Sequence, residues 1–296
     1  MAIGLPVVSS ENPVDPNAEV ERIASGFGFT EGAVADRDGN LYFTDIPNAR
    51  IYLWAIENKL SLFREDSGHA NGLGFDKEGN LLACEGARRR VTSTTPEGRI
   101  KVLCDEYNGR RFNSPNDLWV APDGGIYFTD PRYSGAQWIW EERSSLTNRV
   151  DNPDDAEEQE VRGLYYLSPA GKPVWRCKTK FTNPNGVIGT ADGKWLYVSD
   201  TEEKKVRRFA ICKDGFLAEE TVFVSSYSDG MTIDSRGNLY LTNGGIDIYS
   251  PEGRLIETIQ VPEKSSNAGF GGSDRKTLFI TAGKSVYAIR MKVQGQ

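Results

Sequence analysis

A polar residue recurs six times along the chain, each time eight positions ahead of the same point in a strand–turn–strand unit. The six are Glu31, Asn71, Asn116, Asn185, Asp229 and Asn267. In five copies the position eight residues on is a turn glycine: Gly39, Gly79, Gly124, Gly193 and Gly237. In the sixth it is Arg275, after Ser273-Asp274, so that copy is degenerate. Each turn leads into an apolar run, as in Leu41-Tyr-Phe-Thr-Asp45, Ile126-Tyr-Phe-Thr-Asp130 and Leu239-Tyr-Leu-Thr-Asn243. A period near forty residues with β-branched and aromatic strands specifies a radial β repeat.

Radial repetition turns distant residues into one site. A propeller blade is a four-stranded antiparallel meander whose innermost strand lines a central channel. If each polar residue begins an innermost strand, the glycine turn reverses the chain at the far face. The second strand then returns to the face where the polar residue sits. Successive second strands begin 40, 45, 43 and 39 residues apart, with one longer interval of 70 between Ile126 and Leu196. The excess falls in residues 137–160, which read as an insertion. The predicted fold is all-β: a six-bladed β-propeller with four-stranded antiparallel blades around a central metal site. Residues 1–18 read as an N-terminal extension and 19–296 as one propeller domain. The extended stretch 19–24 is expected to pair with the last blade, closing the ring and hiding a sheet edge.

Composition narrows the function. The 296 residues are 38% hydrophobic and 26% charged, as in a soluble globular protein, with formal net charge −7. No basic cluster exceeds Arg88-Arg89-Arg90, so duplex nucleic acid is excluded as a partner. The triplet itself reads as strand and surface charge rather than as an anion site. No stretch is long and apolar enough to span a bilayer, so no membrane partner is expected. Residues 1–8 lack the basic start and apolar core of a signal peptide, which makes the cytoplasm the expected location. Cys84, Cys104, Cys177 and Cys212 lack metal-type pair spacing, and the expectation is buried free thiols.

The ring contributes two carboxylates and four amides, with no thiol and no imidazole. Hard oxygen donors point to calcium before zinc or iron. Glu31 and Asp229 together balance a divalent charge. Asn116 and Asn185 are the natural neutral ligands, each following proline in Ser114-Pro115-Asn116-Asp117 and Asn183-Pro184-Asn185-Gly186. Against this, Asn-Gly and Asp-Gly are strong turn signals, and any single asparagine here reads as a turn former ahead of a ligand. Six polar residues at constant offset are harder to assign to turns. Asn71 and Asn267 stand between substrate contact and simple solvation of the channel. His69, the one histidine, stands between a substrate or proton-shuttle role and an ordinary loop position. The second-strand ends Asp45, Glu85, Asp130 and Asp200 add negative field or orient water. Asp130, in Phe128-Thr-Asp-Pro131, is the candidate among them for substrate contact, and an ordinary turn opening is its alternative.

The motifs Phe29-Thr-Glu31-Gly32, Asn71-Gly-Leu, Arg111-Phe-Asn-Ser-Pro-Asn116-Asp117, Phe128-Thr-Asp-Pro131, Pro184-Asn185-Gly186 and Ser228-Asp229-Gly230-Met231 resemble the gluconolactonase family. That family includes senescence marker protein, luciferin-regenerating enzyme and diisopropylfluorophosphatase. The resemblance spans about residues 20 to 290. It implies a six-bladed propeller with a divalent metal at its centre, usually calcium, with magnesium, manganese or zinc as substitutes. It puts the metal ligands on Glu31, Asn116, Asn185 and Asp229, and substrate contacts on Arg111 and Asn71. The insertion at 137–160, with Trp138 and Trp140, departs from the pattern and reads as a lid, a solvated loop or an oligomer contact. Homo-oligomerisation is left open.

The implied activity is metal-dependent hydrolysis of a small-molecule lactone, sugar-type or other. The metal polarises the ring carbonyl, and Asp229 acts as base toward water or as nucleophile. Phosphotriester or fluorophosphate hydrolysis at the same site is one alternative. A non-catalytic calcium-stabilised binding propeller is another. A serine hydrolase is excluded, since the lone histidine lies far from any Gly-x-Ser-x-Gly motif.

Overall fold

The computed structural model describes residues 11–132, 157–171, 173–177 and 179–296. Among these, strands dominate and no α-helix occurs; a single turn of 3-10 helix spans Lys213–Gly215. The insertion expected at 137–160, including Trp138 and Trp140, lies outside the described residues up to position 156.

Six four-stranded antiparallel sheets form the blades. Blade 1 is β2 (Thr30–Ala35), β3 (Leu41–Asp45), β4 (Arg50–Ala55) and β5 (Lys59–Arg64). Blade 2 is β6 (Ala70–Phe75), β7 (Leu81–Glu85), β8 (Arg90–Thr94) and β9 (Ile100–Cys104). A small hairpin, β10 (Glu106–Tyr107) and β11 (Arg110–Arg111), precedes blade 3. Blade 3 is β12 (Leu118–Val120), β13 (Ile126–Asp130), β14 (Gly163–Leu167) and β15 (Val174–Arg176). Blade 4 is β16 (Pro184–Gly189), β17 (Trp195–Asp200), β18 (Lys205–Ile211) and β19 (Leu217–Val224). Blade 5 is β20 (Met231–Ile233), β21 (Leu239–Asn243), β22 (Gly245–Tyr249) and β23 (Leu255–Ile259). Blade 6 is β24 (Ser265–Gly271), β25 (Thr277–Ala282) and β26 (Ser285–Arg290), completed on its outer edge by β1 (Glu21–Ser25). Glu21 pairs with Ala288 and Ser25 with Ser285, so the ring is closed by hydrogen bonds between segments far apart in sequence.

The innermost strands β2, β6, β12, β16, β20 and β24 touch in a closed circle, which defines the channel. Sheets pack face to face through large side chains. Between blades 3 and 4, Trp119, Tyr127 and Tyr166 meet Val187, Leu196 and Phe209. Burying each such side chain stabilises the fold by about 1.5–3 kcal/mol. The thiols of Cys84, Cys104 and Cys177 are buried and unbridged, whereas Cys212 is exposed.

Four of the six ring residues lie at irregularities in strand pairing. Register shifts lie between Glu31 and Val34, Ala70 and Leu73, Pro184 and Val187, and Ser265 and Asn267. The glycines behind the Glu-Gly and Asn-Gly pairs serve the close approach of neighbouring blades. A Cβ on Gly32, whose φ is +62°, would lie 2.2 Å from the carbonyl oxygen of Asn71 in the next blade. One on Gly186 would lie 2.5 Å from the Asp229 carbonyl oxygen, to which its own N–H donates at 2.8 Å. Only glycine lets the inner strands converge this closely.

Candidate functional site at the channel mouth

The ring residues converge on one face, where two pairs are joined by side-chain hydrogen bonds. The Asn185 amide donates to Asp229 Oδ1 at 2.8 Å, and the Asn267 amide donates to Glu31 Oε2 at 3.0 Å. Gly32 N–H donates to the same Glu31 oxygen at 2.9 Å. Glu31, Asn116, Asn185 and Asn267 are buried; Asp229 and Asn71 are partly open to the channel. Asn267 therefore acts on Glu31, orienting its carboxylate, while the Asn71 backbone carbonyl accepts from Thr44 Oγ1 at 3.1 Å.

Two carboxylates share this enclosed space with no Lys or Arg bonded to either among the described residues. Burial, reinforced by the charges of Asp229 and Asp117, raises Glu31 well above the ordinary carboxyl range. Burial likewise pushes Asp229 up to about 6, with Lys264 and the Asn185 amide opposing. Asp117, adjacent to Asn116, is pushed to about 7 by burial although Val187 N–H and Leu118 N–H donate to it. Like charges held at short range in a poorly hydrated site destabilise each other, and a divalent cation between them relieves both. Among the described residues no group of three or more His, Cys, Asp or Glu forms. The donor set is two carboxylates with asparagine amides, which suits a hard cation.

The ends of the second strands explain how the ring is held. Asp130 is fully enclosed, and its oxygens accept from Asn113 N–H at 2.8 Å and Ser114 N–H at 2.7 Å. Expected at the substrate, it instead fixes the loop that carries Asn116, because both oxygens are committed to backbone. Burial raises its carboxyl to about 7. Asp45 does the same for Gly28 N–H and Phe29 N–H ahead of Glu31, at 3.0 and 3.2 Å. Asp200 does it for Thr182 N–H and Asn183 N–H ahead of Asn185, at 2.7 and 3.1 Å. In blade 2 the equivalent Glu85 binds Arg64 at 2.6 Å, Arg90 at 2.8 Å and Thr92 at 2.8 Å instead.

In blades 1, 3 and 5 the preceding threonine ties the blade to the next. Thr129 Oγ1 donates to the Asn185 carbonyl at 2.7 Å, and Thr242 Oγ1 to that of Ser266 at 2.9 Å, as Thr44 does to Asn71. A Thr-Asp pair at the end of a second strand thus holds a loop in its own blade and a ring strand in the following one.

The remaining candidates lie around this mouth. His69 has φ +52° and places Nδ1 2.7 Å from the Ile46 carbonyl oxygen, so this nitrogen carries the proton of that bond. Arg111 is half exposed and pairs with Glu158 at 2.6 Å. The arginine triplet divides in a way that surface charge alone does not account for. Arg88 and Arg90 pair with Glu85, but Arg89 is buried and donates Nε–H to the Phe112 carbonyl. Two further residues at the mouth carry no sequence signal: Lys264 stands 5.2 Å from the Tyr227 ring, and both act electrostatically with Asp229.

Residues 29–284 match the model of the family described as the SMP-30/Gluconolactonase/LRE-like region. The chain belongs to this family. A gluconolactonase of Zymomonas mobilis is 30% identical, over 95% of this chain and 84% of the relative. The pentonolactonase XacC of Haloferax volcanii is 33% identical, over 81% of this chain and 76% of its own. Among solved structures, a gluconolactonase of Xanthomonas campestris superposes with a TM-score of 0.81 at 28% identity, covering 93% of this chain and 90% of that one.

Proposed function

We propose that this family member hydrolyses a lactone at the channel mouth with the help of a divalent cation, calcium by its donor set, held by Glu31, Asn116, Asn185 and Asp229. The observation that carries the reading is the meeting of buried Glu31 and partly open Asp229 with asparagine amides and, among the described residues, no protein cation bonded to them. The lactonase relatives support the reaction class. When bound, the cation supplies a Lewis acid for the ring carbonyl.

The chain's own groups do the rest. Asp229 is the general base, taking the proton of the attacking water at a carboxylate oxygen, and the Asn185 amide holds that carboxylate in orientation. Asn267 and Gly32 N–H do the same for Glu31. Asp45, Asp130 and Asp200 hold the ligand-bearing loops, so the donors are in place before substrate arrives. Arg111, Asn71 and His69, on the same face, are the substrate contacts. The reading places the protein in the cytoplasm.

The test is hydrolysis of a panel of sugar and aliphatic lactones after chelation and after calcium is restored, with Asp229→Asn beside the wild type. Activity that disappears with chelator, returns with calcium and is lost in Asp229→Asn supports the assignment. Silence toward lactones with turnover of a phosphotriester moves the bond cleaved. Calcium binding without any turnover leaves a binding propeller.

A further inference from the structure

The side chain of Glu158 is held as a bound anion would be. Its Oε2 accepts the backbone N–H of Arg111 at 2.8 Å, its Oε1 accepts Arg111 Nε–H at 2.6 Å, and Arg89 Nη1 lies 3.7 Å from Oε1. The next residue anchors this arrangement: Gln159 donates its amide to the carbonyls of Arg110 at 2.7 Å and Tyr107 at 3.1 Å. Backbone N–H and guanidinium together keep the Glu158 carboxyl below its ordinary range.

Three arginines, Arg89, Arg111 and Arg132, come together around this carboxylate. Arg89 is pulled below the ordinary arginine value, first by burial and then by the charge of Arg111, with Arg132 adding to it. Buried Arg89 is thus repelled by half-exposed Arg111, and the carboxylates of Glu158 and Asp130 offset that repulsion. A guanidinium fork beside a backbone N–H matches the geometry of carboxylate and phosphate oxygens. The cluster is also tied to the run that carries Asn116. Arg111 opens the run that reaches Asn116 five residues later, and Arg89 donates to the carbonyl of Phe112 within that run. Glu158 and Arg111 are 34% and 52% exposed. A solvent-exposed ion pair contributes little to stability, so another anion can replace Glu158 at low cost.

We infer that Arg111 and Arg89 form an anion subsite, filled in this conformation by the chain's own Glu158, and that the preferred substrate is a lactone carrying a carboxylate or phosphate that displaces it. This deepens the lactonase reading and rests on it for the reaction, though not for the binding.

The experiment measures binding by calorimetry in the calcium-loaded protein, using three open-chain acids as probes: gluconate, the diacid glucarate and 6-phosphogluconate. The subsite predicts tenfold or more tighter binding of at least one dianion over gluconate, and which one wins separates carboxylate from phosphate. Glu158→Gln removes the competing charge and should tighten dianion binding at least threefold. Arg111→Gln should erase the preference; both side chains are exposed, and thermal melting checks that both variants fold. In hydrolysis, the ratio of kcat/KM for the acidic over the neutral lactone should rise in Glu158→Gln and fall in Arg111→Gln. Equal binding of all three acids, or a preference indifferent to both substitutions, overturns the subsite whatever the lactonase result. Dianion preference without turnover upholds the subsite and overturns the lactonase reading instead.

Discussion

Thr129→Val isolates the link between one blade and the next. Thr129 is fully buried; its hydroxyl donates to the Asn185 carbonyl at 2.7 Å and accepts Asp117 N–H at 3.1 Å. Valine fills the same volume without the hydroxyl, so the substitution leaves packing intact and removes two hydrogen bonds at once. A buried polar group left without its partner costs about 1–3 kcal/mol. With two groups affected and some relaxation, the expected loss is about 2–4 kcal/mol, which for a chain of this size lowers Tm by roughly 4–12 °C. Because Asn185 is a proposed ligand and Asp117 adjoins another, calcium affinity measured by calorimetry should fall as well. Thr44→Val is the control. It breaks the matching bond to Asn71, which is outside the ligand set, and should lower Tm while leaving calcium affinity within twofold. A Thr129→Val protein with unchanged Tm, or a fall in affinity equal in both variants, would refute the view that these hydroxyls position ligands across blades.

Asp130→Ala strips acceptors from two buried N–H groups and should cost about 2–4 kcal/mol in urea denaturation at pH 5. Burial raises this carboxyl to about 7, so its stabilising contribution is greatest at low pH and is lost as pH rises through 7; the penalty should shrink by pH 8.5. In metal-free protein, Asp229 titrates near 6 beside an upward-shifted Glu31, so Tm should fall as pH rises from 5 to 8. Calcium should flatten that profile, and a flat metal-free profile would contradict the crowding of the two carboxylates. Gly186→Ala forces a methyl group to within 2.5 Å of the Asp229 carbonyl and should cost about 1–3 kcal/mol together with calcium affinity. A thermal melt at wild-type Tm would show that the blades have room to part.

The ring was legible because a channel demands periodicity: Asn185 bonds Asp229, and Asn267 bonds Glu31, across neighbouring blades for the same reason that these residues recur at one offset. Sequence alone misassigned what surrounds them. Asp130 reads from sequence as a substrate contact or a turn opening, and only its backbone partners, 17 and 16 residues away in the chain, make it a loop anchor. The glycine after four of the ring residues reads as a turn signal, yet Gly186 is required by the next blade's backbone, which no local pattern reveals. Arg89 differs from Arg88 and Arg90 only through burial against Phe112, a tertiary contact. Lys264 is a lone exposed lysine until folding sets it beside Tyr227.

Closure of blade 6 by β1 bears on the order of events during folding. Glu21 must find Ala288, and Thr30 Oγ1 must find the Ser285 carbonyl at 2.8 Å, before β2 and β24 can stand side by side. Contacts so distant along the chain form late. Glu31 lies on β2 and its brace Asn267 on β24, so the acidic ligand acquires its orientation only at that final step. Refolding followed by tryptophan fluorescence should therefore run ahead of calcium uptake followed by an indicator dye, and simultaneous traces would argue against late closure. If calcium is held as proposed, a chain interrupted before blade 6 would carry all four proposed ligands and still hold no calcium, making metal retention a proofreading signal for a finished ring.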